Sequence, residues 1–305
     1  MSAPRVSVVL AVDELATGLE VLAALAAQTI AGQLEVVLVG PGLAASAARF
    51  PAFASVVCVD RPVTPLSDAR AAGILAGSAP LVFVAETHGL PRPDCLEQLA
   101  AACEAGADAA MPRFRNANPA TARSWASLFA TYAAFTGSDG GPVPGVSLHN
   151  GLFRRGPLAA VAAERPQGLV YGVGVSDELR RRGGRMVYVP RAEIDHLNVT
   201  RLRSLLFDRY AGARIWAGSR ASLLSPAARA ARILAFPVVP LLFLRAVVGT
   251  AGWRELRGER PRGTSAVLAL GTVPTAVGEV LGYAAGVGSA AAQHVDLELH
   301  RRAHL

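Results

Sequence analysis

The chain has no lysine, few cysteines and few aromatic residues, and each shortage limits what it can be. Its 30 basic residues are therefore all arginine, and its net charge is +7. The three cysteines, Cys58, Cys95 and Cys103, are odd in number and have no CxxC spacing, so the sequence indicates neither a zinc site nor a disulfide framework. Aromatic residues make up only 6% and are not interleaved with the arginines, so no nucleic-acid partner is expected.

The amino terminus carries a short apolar run that reaches Asp13 and Glu14 before any small-residue cleavage site. This pattern favours a first β-strand over a signal peptide, and we expect a reduced, cytoplasmic catalytic domain. With 52% hydrophobic and 17% charged residues, 305 residues can bury a full core. We expect one large domain, residues 1–205, and a helical appendage, residues 206–305.

Short apolar runs alternate with helical segments through the first two hundred residues. This alternation predicts an α/β fold, with a mainly parallel, Rossmann-like sheet that has helices on both faces. Pro93 fits the first turn of one helix, where its missing N–H costs nothing. The breakers in GSDGGPVPG, residues 137–145, predict a mobile loop. The predicted strands are 6–12, 34–39, 55–59, 81–85, 108–111, 149–155 and 186–189, and the predicted helices are 15–28, 67–77, 93–105 and 177–182.

Glu86 and His88 directly follow the buried strand predicted at residues 81–85. Polar ligands at the carboxyl edge of such a strand suggest a site. Side chains two positions apart in an extended segment point the same way, so these two could converge on one cation or one phosphate.

The order of these features resembles the family 2 glycosyltransferases of the GT-A type, over roughly the first two hundred residues. VSVVLAVDE resembles the opening strand of that family, which ends in the nucleotide pocket. DARAAGILAGSAPLVFVAETH resembles the helix and strand before the acidic metal-binding motif. HNGLFRRGPL resembles the acceptor-side strand and turn, and SDELRRRGGRMVYVPRAEIDH resembles the segment with the catalytic base and a later histidine.

The resemblance implies a role for several residues at the donor side of the site. Asp13 and Glu14 would face the base or ribose of the nucleotide, and Arg70 would lie nearby. Glu86 and His88 would occupy the position of the acidic pair that binds ribose and the metal diphosphate. The implied cofactor is a divalent cation, because a carboxylate suits Mg²⁺ or Mn²⁺ and an imidazole favours Mn²⁺.

The resemblance also places Asp177, or its neighbour Glu178, where the family has its general base. His196 matches a histidine that approaches the metal or diphosphate in some members. Each has a plainer interpretation from the residues alone. The two acids could supply the negative first turn of a helix that ends in RRR, His196 could be a packing residue, and Asp13 could be an N-cap.

Two alternatives to a transferase stay open at this point. Gly40 and Gly42 follow a predicted strand, and Asp60 lies twenty residues after Gly40, a pattern that resembles the dinucleotide fingerprint of an NAD-dependent oxidoreductase. The acidic pair expected of the family is replaced by Glu-Thr-His, so a catalytically degenerate, membrane-associated binding or scaffold protein is the other alternative.

The last hundred residues contain apolar runs at 233–244 and 266–278, broken by Arg245 and Glu279. A simple transmembrane hairpin would put the four arginines of GWRELRGERPRG outside the cell, contrary to the positive-inside tendency. We therefore expect amphipathic or re-entrant helices in the inner membrane interface, with arginines on anionic headgroups and Trp253 near the boundary. Core helices that pack on the catalytic domain or on a second subunit are the alternative.

These observations lead to one functional prediction. The chain is expected to be an inverting glycosyltransferase that moves a sugar from a nucleotide-sugar donor to a lipid-linked or cell-envelope saccharide acceptor. It would act at the cytoplasmic face of the membrane. The sequence leaves the sugar, the linkage and the oligomeric state open.

Overall fold

The structure is a computed structural model that describes residues 3–169 and 173–305. In these residues, β-strands and α-helices alternate up to residue 196, and helices follow to the carboxyl end. The strands are β1 (Val6–Ala11), β2 (Leu34–Val39), β3 (Ser55–Val59), β4 (Leu81–Val84), β5 (Gly89–Pro91), β6 (Ala109–Asn116), β7 (Gly141–Pro142), β8 (Leu152–Arg154) and β9 (Met186–His196).

The nine strands of the described residues form one sheet, in the order β3-β2-β1-β4-β8-β6-β9-β5, with β7 paired to β9. In β1, β2 and β4 every residue is buried. Such unbroken burial requires cover on both faces of the sheet, because neighbouring side chains of a strand point to opposite faces. The α/β sheet with helices on both faces is therefore confirmed.

The sheet is mostly parallel, as the sequence predicted, but it also contains antiparallel strands. Strands β3, β2, β1 and β4 run parallel, with Val9 opposite Val84. Strand β8 then runs antiparallel between β4 and β6, with Leu152 opposite Phe83. A three-residue strand carries too little periodicity for its direction to be predicted. Its insertion beside β4 nevertheless shapes the candidate site.

Helices connect and cover these strands. The described residues form α1 (Leu15–Ala26), α2 (Leu66–Ala76), α3 (Cys95–Glu104), α4 (Ala122–Tyr132), α5 (Arg155–Glu164), α6 (Val173–Arg181), α7 (Leu202–Ala221), α8 (Pro226–Leu234), α9 (Val239–Val248), α10 (Ala251–Glu255), α11 (Thr264–Ala285) and α12 (Ala290–Leu299). Because α3 begins at Cys95, after its N-cap Asp94, Pro93 lies before the helix and not in its first turn as predicted.

Two compact units make up the chain. The first comprises Met1–Arg115 and Asp139–Asp195 and contains most of the sheet. The second comprises Asn116–Ser138 and His196–Leu305 and is helical. The expected division into a catalytic domain, 1–205, and a membrane-associated region, 206–305, concerns function and stays a prediction.

In the second unit, α11 packs closely on α7. A Cβ atom at Gly278 would lie 2.2 Å from the carbonyl oxygen of Tyr210, and one at Gly282 would lie 2.6 Å from that of Arg214. Both glycines are therefore required by the approach of the two backbones. Among the described helices, α11 is the one long and apolar enough to cross a membrane on its own. Its packing on α7 is also what a core helix requires.

Candidate functional site

The candidate site lies at the carboxyl edge of β4, where Glu86, Thr87 and His88 follow the strand. Since β8 is antiparallel to β4 with Phe83 opposite Leu152, continuing the same register places Glu86 opposite His149. A backbone hydrogen bond joins the two segments here, because the Asn150 amide donates to the Val84 carbonyl oxygen at 2.7 Å. The short antiparallel strand thus brings a second polar segment to the predicted site.

A chain of four buried polar side chains forms the centre of the site. The Arg70 Nη1 atom lies 2.9 Å from the Nε2 atom of His149. On the other side of the ring, Nδ1 lies 2.6 Å from Glu86 Oε1. The amide of Asn150 donates to Glu86 Oε2 at 2.6 Å. All four residues are buried, so their hydrogen bonds offset the cost of removing them from water.

The backbone around this cluster is specialised. Asn150 has a φ of 54°, in the left-handed region that asparagine tolerates better than most residues. At Gly89, a Cβ atom would lie 2.4 Å from the side-chain nitrogen of Asn150. Glycine at position 89 therefore makes room for the amide group that contacts Glu86.

His88 is the second predicted cation ligand in this segment. It is buried, and its Nε2 atom lies 3.9 Å from Glu86 Oε1. Two ligand atoms bonded to one ion at about 2.1 Å can lie up to about 4.2 Å apart, so this separation fits a shared cation. A carboxylate and an imidazole together suit Mn²⁺ better than Mg²⁺. The residues present therefore fit the implied cation.

Asp13 and Glu14 lie at the same edge of the sheet, at the end of β1. Asp13 accepts hydrogen bonds from the Glu14 amide and the Thr17 hydroxyl, both at 3.0 Å. Glu14 is the N-cap residue of α1, and its side chain makes no capping hydrogen bond. The N-cap interpretation of Asp13 is therefore wrong, because the N-cap residue is its neighbour Glu14. The nucleotide contacts of both acids stay predictions.

The two candidate bases, Asp177 and Glu178, lie on α6 and have different surroundings. Glu178 is buried and accepts hydrogen bonds from Arg181 at 2.5 Å and Arg182 at 2.6 Å. These hydrogen bonds, that of Arg181 first, hold the pKa of Glu178 below its usual range. Asp177 pairs with Arg180, and its side chain is 40% exposed. Asp177 is therefore the more accessible carboxylate of the two.

His196 belongs to the second unit, where it packs edge-on against Tyr132 with 5.0 Å between the ring centroids. The side-chain nitrogen of Asn198 donates to Asn116 Oδ1 at 3.0 Å, so its oxygen is the group that accepts from His196 Nδ1 at 3.0 Å. This places the ring hydrogen on Nδ1 and the lone pair on Nε2, as in a metal-binding histidine with an outer partner. Its role as a metal ligand stays a prediction.

The loop that resembles a dinucleotide fingerprint has a structural explanation. A Cβ atom at Gly40 would lie 2.0 Å from the carbonyl oxygen of Val12, so glycine is required there by packing. The carboxylate of Asp60 accepts a hydrogen bond from the Gly42 amide at 3.2 Å. An NAD molecule would use the Gly42 amide and the Asp60 carboxylate, and in this structure the two are hydrogen-bonded to each other. We therefore give this loop no part in the function proposed below.

His149 and Asn150 were not among the predicted site residues. Both occur in HNGLFRRGPL, where two polar residues precede an apolar strand. That pattern is the signal in the sequence that could have identified them as site residues. It points to this site only once β8 is known to pair antiparallel with β4, and the sequence pattern does not specify that pairing.

No family model and no curated protein matches the chain. Among solved structures, the chain is similar to the one described as "Crystal structure of S. aureus TarS 1-349". The TM-score is 0.46 and the sequence identity 12%, and the match covers 92% of this chain and 90% of that one. Function is therefore inferred from the side chains of the site.

Proposed function

We propose that the protein is an inverting glycosyltransferase that uses a nucleotide-sugar donor and a cell-envelope or lipid-linked saccharide acceptor. The observation that carries this proposal is the buried cluster of Arg70, His149, Glu86 and Asn150, with His88 beside it, at the carboxyl edge of β4. Ligands of α/β sheets bind at that edge. The guanidinium of Arg70 can bind a diphosphate directly, and the carboxylate of Glu86 and the imidazole of His88 can bind a diphosphate through a metal ion.

The chemistry explains why such a cluster is useful. When the bond between the anomeric carbon and the diphosphate oxygen breaks, negative charge grows on the leaving nucleoside diphosphate. The guanidinium of Arg70 would stabilise that charge. Glu86 and His88 would hold a Mg²⁺ or Mn²⁺ ion. Such an ion, when bound, would act as a Lewis acid and stabilise the negative charge on the diphosphate.

The acceptor hydroxyl must lose a proton as its oxygen attacks the anomeric carbon. We assign this proton to the carboxylate of Asp177, because its side chain is 40% exposed whereas that of Glu178 is buried against Arg181 and Arg182. One displacement then inverts the anomeric configuration. A general base of this kind contributes on the order of 10² to 10⁴ in rate.

The experiment that tests this proposal is a thermal-shift panel of nucleotide sugars, with and without Mn²⁺. We expect at least one nucleotide sugar to stabilise the protein, more strongly with Mn²⁺, because binding to the folded state alone raises its stability. A response to NAD alone would favour an oxidoreductase. No response to any nucleotide would favour a binding or scaffold protein and contradict the proposal.

We propose further that the second unit binds the inner membrane surface through α8 and α9. These two apolar helices are bent by 77° at the break between them. From Leu234 to Val248, large apolar side chains are exposed, with Leu234 at 79%, Leu241 at 67% and Leu242 at 62%. An exposed apolar segment of this size marks an interaction surface.

The charges of this region favour an anionic lipid surface as the partner. No Asp or Glu occurs from residue 209 to residue 254, whereas seven arginines do. Arg245 lies within the apolar segment and Arg232 lies two residues before it, and both are exposed. On such a surface, the arginines complement the phosphate headgroups and the leucines complement the acyl chains. The arginine content supports the cytoplasmic side of the membrane.

Vesicle co-sedimentation of the full chain tests this surface. We expect binding to vesicles of phosphatidylglycerol mixed with phosphatidylcholine, and weaker binding to phosphatidylcholine alone. The double substitution L241S/L242S should weaken binding at least tenfold, because each buried leucine contributes about 1.5–3 kcal/mol.

The matched control is L19S/L75S, which replaces two leucines of the first unit that are 43% and 52% exposed. It should bind vesicles like the wild type. Equal binding by both double variants would contradict the membrane proposal. So would self-association of the wild type that L241S/L242S abolishes while vesicles are not bound, since the surface would then cover a second copy.

A further inference from the structure

We infer that His149 is a positioning residue, which Arg70 holds in one tautomer so that its Nδ1–H orients the Glu86 carboxylate toward the donor diphosphate and its cation. This inference rests on the proposed function. It assigns a role to His149, which lies in the segment HNGLFRRGPL but was not among the predicted site residues, and it assigns a second role to the buried Arg70.

The tautomer follows from the donors and acceptors. A guanidinium group only donates hydrogen bonds, so the His149 Nε2 atom, 2.9 Å from Arg70 Nη1, must accept. The ring hydrogen is then on Nδ1, which lies 2.6 Å from Glu86 Oε1 and donates to it. Arg70 thus sets the direction of the hydrogen bond on the opposite side of the ring.

Glu86 is held at both oxygens. His149 donates to Oε1, and the Asn150 amide donates to Oε2 at 2.6 Å. The side-chain oxygen of Asn150 in turn accepts from the Glu86 backbone amide at 3.3 Å, which fixes the orientation of that amide group. A carboxylate offers about four acceptor positions, so a cation can still bind the positions that these bonds leave. The two donors fix the plane in which those positions lie.

A carboxylate that binds a metal ion is usually held by outer hydrogen-bond partners of this kind. Loss of such a partner lowers metal affinity or activity by about 10- to 100-fold. His88 contacts the same carboxylate oxygen at 3.9 Å. A rotation of Glu86 would therefore change its distance to the other predicted ligand. His149 prevents that rotation without needing to contact the donor itself.

Two substitutions separate the two hydrogen bonds of the ring. In His149→Asn the side-chain nitrogen can replace Nδ1 and still donate to Glu86, but the acceptor for Arg70 is lost. In His149→Gln the side-chain oxygen can replace Nε2 and still accept from Arg70, but the donor to Glu86 is lost. We expect Mn²⁺ affinity and kcat to be about 10- to 100-fold lower in H149Q than in H149N. The exposed histidine variant His300→Gln is the control and should match the wild type.

Mn²⁺ affinity is measured by titration calorimetry and kcat and KM by release of nucleoside diphosphate. A merely structural role would lower the melting temperature of both variants and leave their Mn²⁺ affinities equal, which would overturn the inference. If the wild type transfers no sugar, the proposed function fails. If the wild type is active and the two variants behave alike, the inference alone fails.

Nitrogen NMR of the wild type, labelled at histidine, gives a test that requires no variant to fold. We expect a neutral ring for His149 with its hydrogen on Nδ1 and a hydrogen-bonded lone pair on Nε2. A ring with its hydrogen on Nε2 would contradict the assignment of Arg70 as donor and would overturn the inference.

Discussion

Replacing Glu86 by Gln is expected to reduce sugar transfer by on the order of 10² to 10³, the cost of removing one pre-positioned electrostatic group from an active site. Gln keeps the shape of the side chain and can still accept from His149. It removes the negative charge that binds a cation and balances Arg70. The measurement is the rate of nucleoside diphosphate release at saturating donor, together with the melting temperature.

Glu97→Gln is the matched control for this prediction. Glu97 is an exposed acid of the same unit that accepts a hydrogen bond from Thr29 at 2.8 Å. Its substitution should leave the rate unchanged. A Glu86→Gln protein that is folded and retains a third or more of the wild-type rate would remove Glu86 from the proposed mechanism.

Replacing Asp208 by Asn is expected to destabilise the protein by about 3 to 5 kcal/mol, the cost of breaking a buried ion pair from one side. Asp208 is buried on α7. It contacts Arg209 at 2.8 Å and His294 of α12 at 2.8 Å, and Arg301 adds a further positive charge. Without the carboxylate, Arg209 loses its nearest acid, and His294 and Arg301 keep Glu298, at 3.8 Å and 3.7 Å. Urea unfolding at neutral pH measures the loss.

The control for Asp208 is an acid of α12 at the surface. The carboxylate of Asp296 is 64% exposed and contacts His300 and His304 at 3.0 Å. Because water screens such pairs, Asp296→Asn should cost less than about 1 kcal/mol. If both substitutions cost the same, the buried cluster does not stabilise the second unit as described.

The same cluster predicts a dependence on pH. Burial alone would raise the pKa of Asp208, but Arg209, His294 and Arg301 outweigh it and hold the pKa far below its usual range. A carboxylate with a depressed pKa contributes stability that is present above its unfolded value, about 3.9, and is lost as the pH falls below it. The difference in unfolding free energy between wild type and Asp208→Asn should therefore shrink in acid. A difference that stays constant down to pH 3 would contradict this.

Several elements could be predicted from the sequence because burial on both sides leaves an unambiguous pattern. Strands β2 and β3 have the predicted bounds, and β1 and β4 differ from prediction by one residue at the carboxyl end. All four consist mainly of β-branched or apolar residues bounded by helices or turn residues, although β3 is only half-buried. The position of Glu86 and His88 at the end of β4 followed from this.

The part of the site that was missed depends on pairing between distant segments. Strand β8 has three residues and runs against β4, and only that direction brings His149 opposite Glu86. A local pattern of apolar residues does not specify its partner strand. The carboxyl-terminal region shows the same limit, because the apolar run predicted at 266–278 is part of a helix that packs on α7 through Gly278 and Gly282.

Titration of nucleoside diphosphates and nucleotide sugars into the wild-type protein, with and without Mn²⁺, tests the central claim most directly. The claim is that the cluster around Glu86 binds the diphosphate of an activated sugar. We predict saturable binding that strengthens with Mn²⁺ and is lost in Glu86→Gln. If no nucleoside diphosphate or nucleotide sugar binds, or if Glu86→Gln binds as tightly as the wild type, the claim is wrong.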